Sequence, residues 1–271
     1  MADRLQPDPY TPGAFRLMFG DTAQSYVDPA DPLRLEFEYV QRLCEALDAT
    51  VLARPEDERV RVVHIGGGAL TIPRWVEARR PHTAQIVLEP DTDLTEEVRR
   101  KLPLARTSGV KVRATGGREG IAQMPPDYAD AVVLDAFAGA RVPADLITAE
   151  FLDEVRARLR RGGLFAANVT DKAPFGWTKR LVGGVAARWA SVLVSAEPAT
   201  WKGRRFGNLV VLASDAALPA EALERLASRS AFPYRIVAGR QLHRWLGGAQ
   251  AWTDADAHPS PEPPGGRSWF S

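Results

Sequence analysis

VRVVHIGGGALTIPRWVEARR, residues 60–80, sets the architecture. Val60–Ile65 is a largely β-branched run, the signature of a buried strand. Gly66-Gly67-Gly68 closes it with a tight turn. Leu70–Arg79 then reads as a helix, with Pro73 tolerated in its first turn. Strand, glycine turn and helix in that order open a βαβ unit.

Downstream the alternation continues. Gln85–Leu88 predicts a second strand, ended by Glu89, and Thr92–Lys101 a polar helix. Val110–Arg113 is a short strand before Gly116-Gly117. Gly120–Met124 is the remnant of a helix, cut by Pro125-Pro126. Ala131–Leu134 is a strand with Asp135 at its end. Thr148–Leu159 is helical and closes at Arg161-Gly162-Gly163, before a strand at Leu164–Val169. Strands alternating with helices from about 60 to 170 predict an α/β fold with a parallel sheet covered on both faces. Phe175–Trp189 reads as a helix. Val192–Ala196 and Asn208–Ala213, with no helix between them, read as an antiparallel hairpin at a sheet edge. Glu221–Ala227 is a last surface helix.

Upstream, apolar residues at 15, 17 and 19 alternate as in a short strand. Leu33–Leu52 carries apolar residues at helical spacing and predicts one amphipathic helix, started by Asp31-Pro32 and ended before Arg54-Pro55. From Gly247 onward the chain is Gly, Pro, Ser and Ala with little to bury. A disordered tail is expected there, although Trp252, Trp269 and Phe270 are out of keeping with one. Three parts follow: an N-terminal β segment and helix (1–55), an α/β domain (56–246) and the tail (247–271).

In open α/β sheets ligands bind outside the C-terminal strand ends. Gly66-Gly67-Gly68 lets a ligand approach the backbone beside a helix N-terminus; the same turn also serves as a bare strand-to-helix corner. It lacks P-loop spacing and is not GxGxxG, which disfavours a nucleoside triphosphate. Glu89, 23 residues after Gly66, suits the two hydroxyls of a ribose; its competing role is a helix cap, for which Asp91 is better placed. That pair does not separate a dinucleotide from S-adenosylmethionine. Asp135 stands where it can orient or deprotonate an amine, or simply cap a turn.

The order VHIGGGAL (63–70), VLEPD (87–91), a glycine-containing turn, VVLDAF (132–137) and RGGLFAANV (161–169) resembles the spermidine synthase family, within the Rossmann-like class I methyltransferase fold. Gln24-Ser25-Tyr26-Val27 followed by LRLEFEYVQRL (33–43) resembles that family's N-terminal β segment and first helix. The stretch Asp135–Pro143 is similar to spermidine-synthase-like proteins of actinobacteria. The resemblance implies that Gln24 contacts the amino-acid end of the nucleoside ligand. Gly66, Gly67 and Gly68 would lie along it, and Glu89 would hold the ribose. Asp135 would help deprotonate the attacking amine, and Tyr39 lies near the family's amine-orienting Tyr. It also implies S-adenosylmethionine or its decarboxylated form as co-substrate and a small amine, or another small acceptor, as partner.

The departures are as specific. Ala69 follows the glycines where the family has Asp-Gly, and Pro90 replaces the usual residue before Asp91. Gly116-Gly117 stands where an acid reads the adenine, and Ala138 where a second acid holds the far amine of putrescine. Losing an adenine contact costs about 1 kcal/mol or more, and losing the partner of a desolvated ammonium several. Three functions stay open: an aminopropyltransferase, a small-molecule methyltransferase and a non-catalytic scaffold of the same fold.

Composition narrows the rest. The 271 residues hold 35 Lys and Arg against 34 Asp and Glu, an ordinary globular balance that excludes a wholly disordered or fibrous chain. Residues 1–60 carry 12 acids and 6 bases, an acidic rim suited to a cationic ligand or simply a solvated surface. The arginines are interspersed with acids, so no nucleic-acid partner is expected. One cysteine, Cys44, excludes an internal disulfide, and the four scattered histidines give no metal site. No apolar stretch spans a membrane and the first 15 residues lack a signal-peptide core, so a cytoplasmic protein is expected. A homodimer is compatible with all of this.

Overall fold

The apolar runs at Arg61–Ile65, Ala84–Leu88 and Ala129–Leu134 become strands buried on both faces. The computed structural model describes residues 3–20 and 22–264. β1 (Leu5–Pro7), β2 (Phe15–Phe19) and β3 (Thr22–Val27) form a small antiparallel sheet in that order. α1 (Glu38–Asp48) and a 3-10 turn at Val51–Ala53 lead into the main domain. There follow β4 (Arg61–Ile65), α2 (Thr71–Arg79), β5 (Ala84–Leu88), α3 (Thr92–Lys101), β6 (Val110–Arg113), α4 (Gly117–Ala122) and β7 (Ala129–Leu134). A 3-10 turn at Ala144–Leu146 precedes α5 (Ala149–Arg158), β8 (Leu159–Asp171), α6 (Gly176–Ala186) and β9 (Ser191–Ala196). α7 (Pro198–Trp201), β10 (Gly207–Ser214), α8 (Ala220–Arg229), β11 (Arg235–Ala238) and α9 (Gly239–Leu246) complete the elements.

The large sheet has the order β11-β9-β10-β8-β7-β4-β5-β6. β4 pairs in parallel with β5 and β7, β5 with β6, and β7 with β8; β10 and β11 run antiparallel to their neighbours. This is the expected mostly parallel α/β sheet with an antiparallel side. Successive residues of β7 feed opposite cores: Val132 and Leu134 pack with Phe151 and Phe165, whereas Ala131 and Val133 pack with Leu43 and Trp75.

Four expectations change. The helix predicted over Leu33–Leu52 begins only at Glu38; Leu33 is half exposed, so the apolar stripe that α1 buries starts at Val40. Arg161-Gly162-Gly163 does not turn out of the sheet. The chain stays in β8 through a bulge, with Leu159 opposite Ala129 and Leu164 opposite Ala131. The late strands β9 and β10 pair antiparallel on one side of the sheet, as expected, but not as a bare hairpin at its edge. The short α7 separates them, β10 inserts between β8 and β9, and β11 forms the edge.

The fourth change is the expected disordered tail. Residues 247–264 are laid along the domain, and Trp252 is buried. Its Nε1 donates to the Trp177 carbonyl at 3.1 Å, and the Arg180 guanidinium stacks 3.6 Å above its ring. Trp177 Nε1 donates in turn to the His258 carbonyl at 2.9 Å. Arg118 pairs with Asp254 and Arg180 with Asp256. Composition is misleading here because one large indole supplies the anchor and arginines from the domain satisfy the strap's polar groups. Trp269 and Phe270 lie outside the described residues.

Candidate functional site

β4, β5, β6 and β7 all end at one edge, and the residues that follow them build the site. Gly66 N–H donates to the Leu88 carbonyl at 2.9 Å, and Asp135 N–H to the Ile65 carbonyl at 2.9 Å. These bonds extend the ladder one residue beyond the strands and bring the glycine turn against Asp135. Gly66 has φ +93°, and a Cβ there would stand 2.2 Å from the Asp135 carbonyl oxygen. No other residue type fits this turn without moving its neighbour.

Glu89 is tied to the same turn. Its Oε2 accepts from Gly67 N–H at 2.9 Å and Gly68 N–H at 3.4 Å, and its Oε1 accepts from Asp91 N–H at 2.9 Å. Asp91 caps α3, accepting from Leu94 N–H, and pairs with Arg4 of the N-terminal segment at 2.5 Å. The small sheet is latched beside the turn, with Ser25 Oγ 2.9 Å from Thr71 Oγ1 and Thr71 Oγ1 donating to the Tyr26 carbonyl.

β7 carries an acid at each end, with different surroundings. Asp130, fully buried, meets Arg54 and Arg160 and accepts from Arg61 N–H, which closes the bottom of the sheet. Among the described residues Asp135 has no ion pair; Asn168 Nδ2 donates to its Oδ1 at 3.0 Å. Burial pushes the Asp135 carboxyl up to about 6, against the opposing pull of that hydrogen bond. Tyr39, in the first turn of α1, has a hydroxyl raised well above its ordinary value by burial and by the Asp135 charge, so it stays an O–H donor.

Gln24, Tyr39, Gly66, Gly67, Gly68, Glu89 and Asp135, the seven residues singled out from sequence, all line one cavity of about 490 Å³. That size suits a small ligand. Sequence reasoning missed Asn168, the one polar residue in the Leu164–Val169 stretch of β8; its position beside Asp135 follows from the pairing of Leu134 with Ala167. It also passed over Asp145, which stands at the cavity rim. Among the described lining residues the ionisable side chains are Tyr39, His64 and four carboxylates, Glu89, Asp91, Asp135 and Asp145, with no Lys or Arg. Burial holds His64 down to about 4, so it is neutral, and its Nε2 lies 2.8 Å from Gln85 Oε1. Arg4 matches Asp91, whereas Glu89, Asp135 and Asp145 have no ion pair among the described residues, so the cavity carries surplus negative charge. Among the described residues, no group of three or more His, Cys, Asp or Glu is placed to hold a metal ion. No described helix is long and apolar enough to cross a membrane.

No protein-family model matches the chain. It is 28% identical over 159 residues to a polyamine aminopropyltransferase of Vibrio vulnificus (strain CMCP6), a match covering 57% of this chain and 51% of the relative. The matched region thus spans about half the length of that curated relative. A probable spermidine synthase from Corynebacterium glutamicum ATCC 13032 superposes with a TM-score of 0.86 at 28% identity, covering 92% of each chain. Human methyltransferase-like protein 13, solved in complex with SAH, superposes at 0.56 with 17% identity, over 80% of this chain and 95% of that one.

Proposed function

We propose that this chain, spermidine synthase-like in sequence and methyltransferase-like in fold, transfers the aminopropyl group of decarboxylated S-adenosylmethionine to a small amine. The observation that carries this reading is the charge of the cavity. S-adenosylmethionine itself brings a carboxylate. The backbone N–H groups of the glycine turn, which would suit an anion, already donate to Glu89, and no lining Lys or Arg offers an alternative. The decarboxylated donor brings a sulfonium and an ammonium, and both are favoured among carboxylates.

In this reading Glu89 keeps lone pairs for the ribose hydroxyls, while Gln24 faces the aminopropyl end. The acceptor amine lies between Tyr39 and Asp135. Its nitrogen attacks the propyl carbon bonded to sulfur and the N–C bond forms. The C–S electron pair returns to sulfur, releasing methylthioadenosine, and the amine proton passes to Asp135. The sulfonium leaves readily, so positioning supplies most of the acceleration.

Calorimetry with both donors tests the assignment. The decarboxylated donor is expected to bind about 10-fold or more tightly than S-adenosylmethionine, the cost of leaving a carboxylate unpaired. Equal affinities, or the reverse order, would turn the reading toward a methyltransferase, and binding of neither toward a scaffold.

Two further outcomes belong to this reading. Glu89→Gln should weaken nucleoside binding about 10-fold or more, since hydrogen bonds to a charged group are worth roughly 1.5–3 kcal/mol. Unchanged affinity would remove Glu89 from the ribose site. Putrescine should be a poor acceptor. Ala138 brings no acid to the cavity, Glu89 is tied to the glycine turn and Asp91 to Arg4, and Asp145 belongs to the turn packed against Gly117, at the other end from Asp135. The distal ammonium would be desolvated without a partner. A monoamine of similar length should outperform putrescine in kcat/KM by roughly 10-fold or more; putrescine turning over as well as or better than the monoamine would contradict this.

A further inference from the structure

Three of the four cavity carboxylates have protein partners: Glu89 the glycine turn, Asp91 Arg4, and Asp135 Asn168. The fourth, Asp145, has a side chain with no hydrogen bond or ion pair among the described residues. It sits in the 3-10 turn Ala144–Leu146, exposed at the rim of the cavity. Its backbone carbonyl accepts from Arg118 Nη1 at 3.5 Å, which ties the turn to the first turn of α4. The Arg118 guanidinium is itself engaged by Asp254 through two hydrogen bonds at 2.7 and 2.6 Å.

Position along the sheet says what Asp145 faces. The order β7-β4-β5-β6 puts Asp135, the glycine turn, Glu89 and Gly116-Gly117 in a row along one edge. With the reacting group at Asp135 and the ribose at Glu89, the base extends onward to Gly116-Gly117. That turn brings no side chain to the base. A Cβ on Gly117 would come within 2.3 Å of Ile65 Cγ2 and 3.0 Å of Leu146 Cδ2, so the wall is built for close approach and is apolar. Leu146 of the 3-10 turn packs against Gly117, and Asp145, next to it in that turn, is the ionisable side chain that this turn adds to the cavity lining.

We infer that Asp145 is the residue that selects the base, accepting a hydrogen bond from the exocyclic 6-amino group of a purine. This rests on the nucleoside site proposed above. A carboxylate only accepts, so it attracts a 6-amino group and repels the lone pairs of a 6-oxo group. A site built this way discriminates by leaving the wrong analogue unpaired.

The test measures binding of 5′-methylthioadenosine and its 6-oxo counterpart, 5′-methylthioinosine, by calorimetry to the wild-type protein and to Asp145→Asn. The wild type should prefer the amino form about 10-fold or more. Asp145→Asn should reduce that ratio to about 3-fold or less, because a side-chain amide turns either its oxygen or its NH2 toward the base. A general loss of structure would weaken both ligands and leave the ratio standing. An unchanged ratio in Asp145→Asn, or a wild type that binds both nucleosides equally, overturns the role of Asp145 and leaves the nucleoside site intact. A wild type that binds neither overturns the functional reading and this inference together.

Discussion

Asp135→Asn is expected to lower aminopropyl transfer about 10²–10⁴-fold, the usual contribution of a positioned proton acceptor, while making the folded protein more stable at neutral pH. The two effects share one cause. Burial raises the Asp135 carboxyl to about 6, above its ordinary value near 4. The folded state then holds the proton more tightly than the unfolded state. Stability from this group is therefore greatest at low pH and declines as pH rises from about 4 to about 6. Above that range the buried charge costs about 1–3 kcal/mol, which asparagine removes. Asn168 Nδ2 still finds an oxygen at position 135, so the local bond survives. Activity runs the other way: transfer should rise with pH through about 6 as the carboxylate forms, and this limb should vanish in the variant. Thermal melts and a pH profile of kcat/KM check both halves. A variant that keeps full activity, or keeps the limb near 6, would remove Asp135 from proton transfer.

Gly66→Ala should be the most damaging single methyl group in the site. The added Cβ meets backbone, not a yielding side chain, at 2.2 Å from the Asp135 carbonyl oxygen and 2.8 Å from its carbon. The residue also sits at φ +93°, where L side chains are strained. Strain and overlap together should cost about 2–5 kcal/mol, a fall of roughly 5–15 °C in Tm for a chain of this size. Nucleoside binding should be lost with it, because relief requires Asp135 or the turn to move. Gly68→Ala is the comparison. Its φ is +49°, yet its nearest neighbours are Ser25 Oγ at 3.6 Å and Leu17 Cδ2 at 3.8 Å. It should cost only about 1 kcal/mol. Equal melting temperatures for the two variants would show that the close approach at Gly66 is not a constraint.

Much of this was legible in the sequence, for physical reasons that differ by residue. Val60–Ile65, Gln85–Leu88 and Ala131–Leu134 announce themselves as strands because a sheet covered on both faces needs unbroken apolar runs. The acids at their ends stand out against those runs, which is why Glu89 and Asp135 are legible as site candidates in the sequence. Leu33 falls outside α1 although it keeps the helical period, because that period does not say which apolar residues find a partner surface. β11 is four residues long, too short to carry a period. The strap past Gly247 was hidden by its composition, since a single Trp252 does the anchoring. Asn168 and Asp145 could not be assigned at all. Their proximity to the cavity comes from strand register and from a turn crossing over to α4, and neither is written in a local pattern.

The strap also has a consequence for the order in which the protein is made. Arg141 Nη2 donates to the Pro259 carbonyl at 3.0 Å, and Val142 N–H donates to Ser260 Oγ at 2.9 Å, so the loop after Asp135 is fastened by residues nearly 120 positions later. At about 5–20 residues per second, Ser260 is synthesised roughly 6–24 s after Arg141. Through that interval the nascent chain has its glycine turn, Glu89 and Asp135, with the wall beside Asp135 still unfastened. Completion of the pocket is thus a late event in synthesis, and a chain truncated before Pro259 keeps every proposed catalytic and ribose-binding side chain but lacks the clasp that fastens the loop after Asp135.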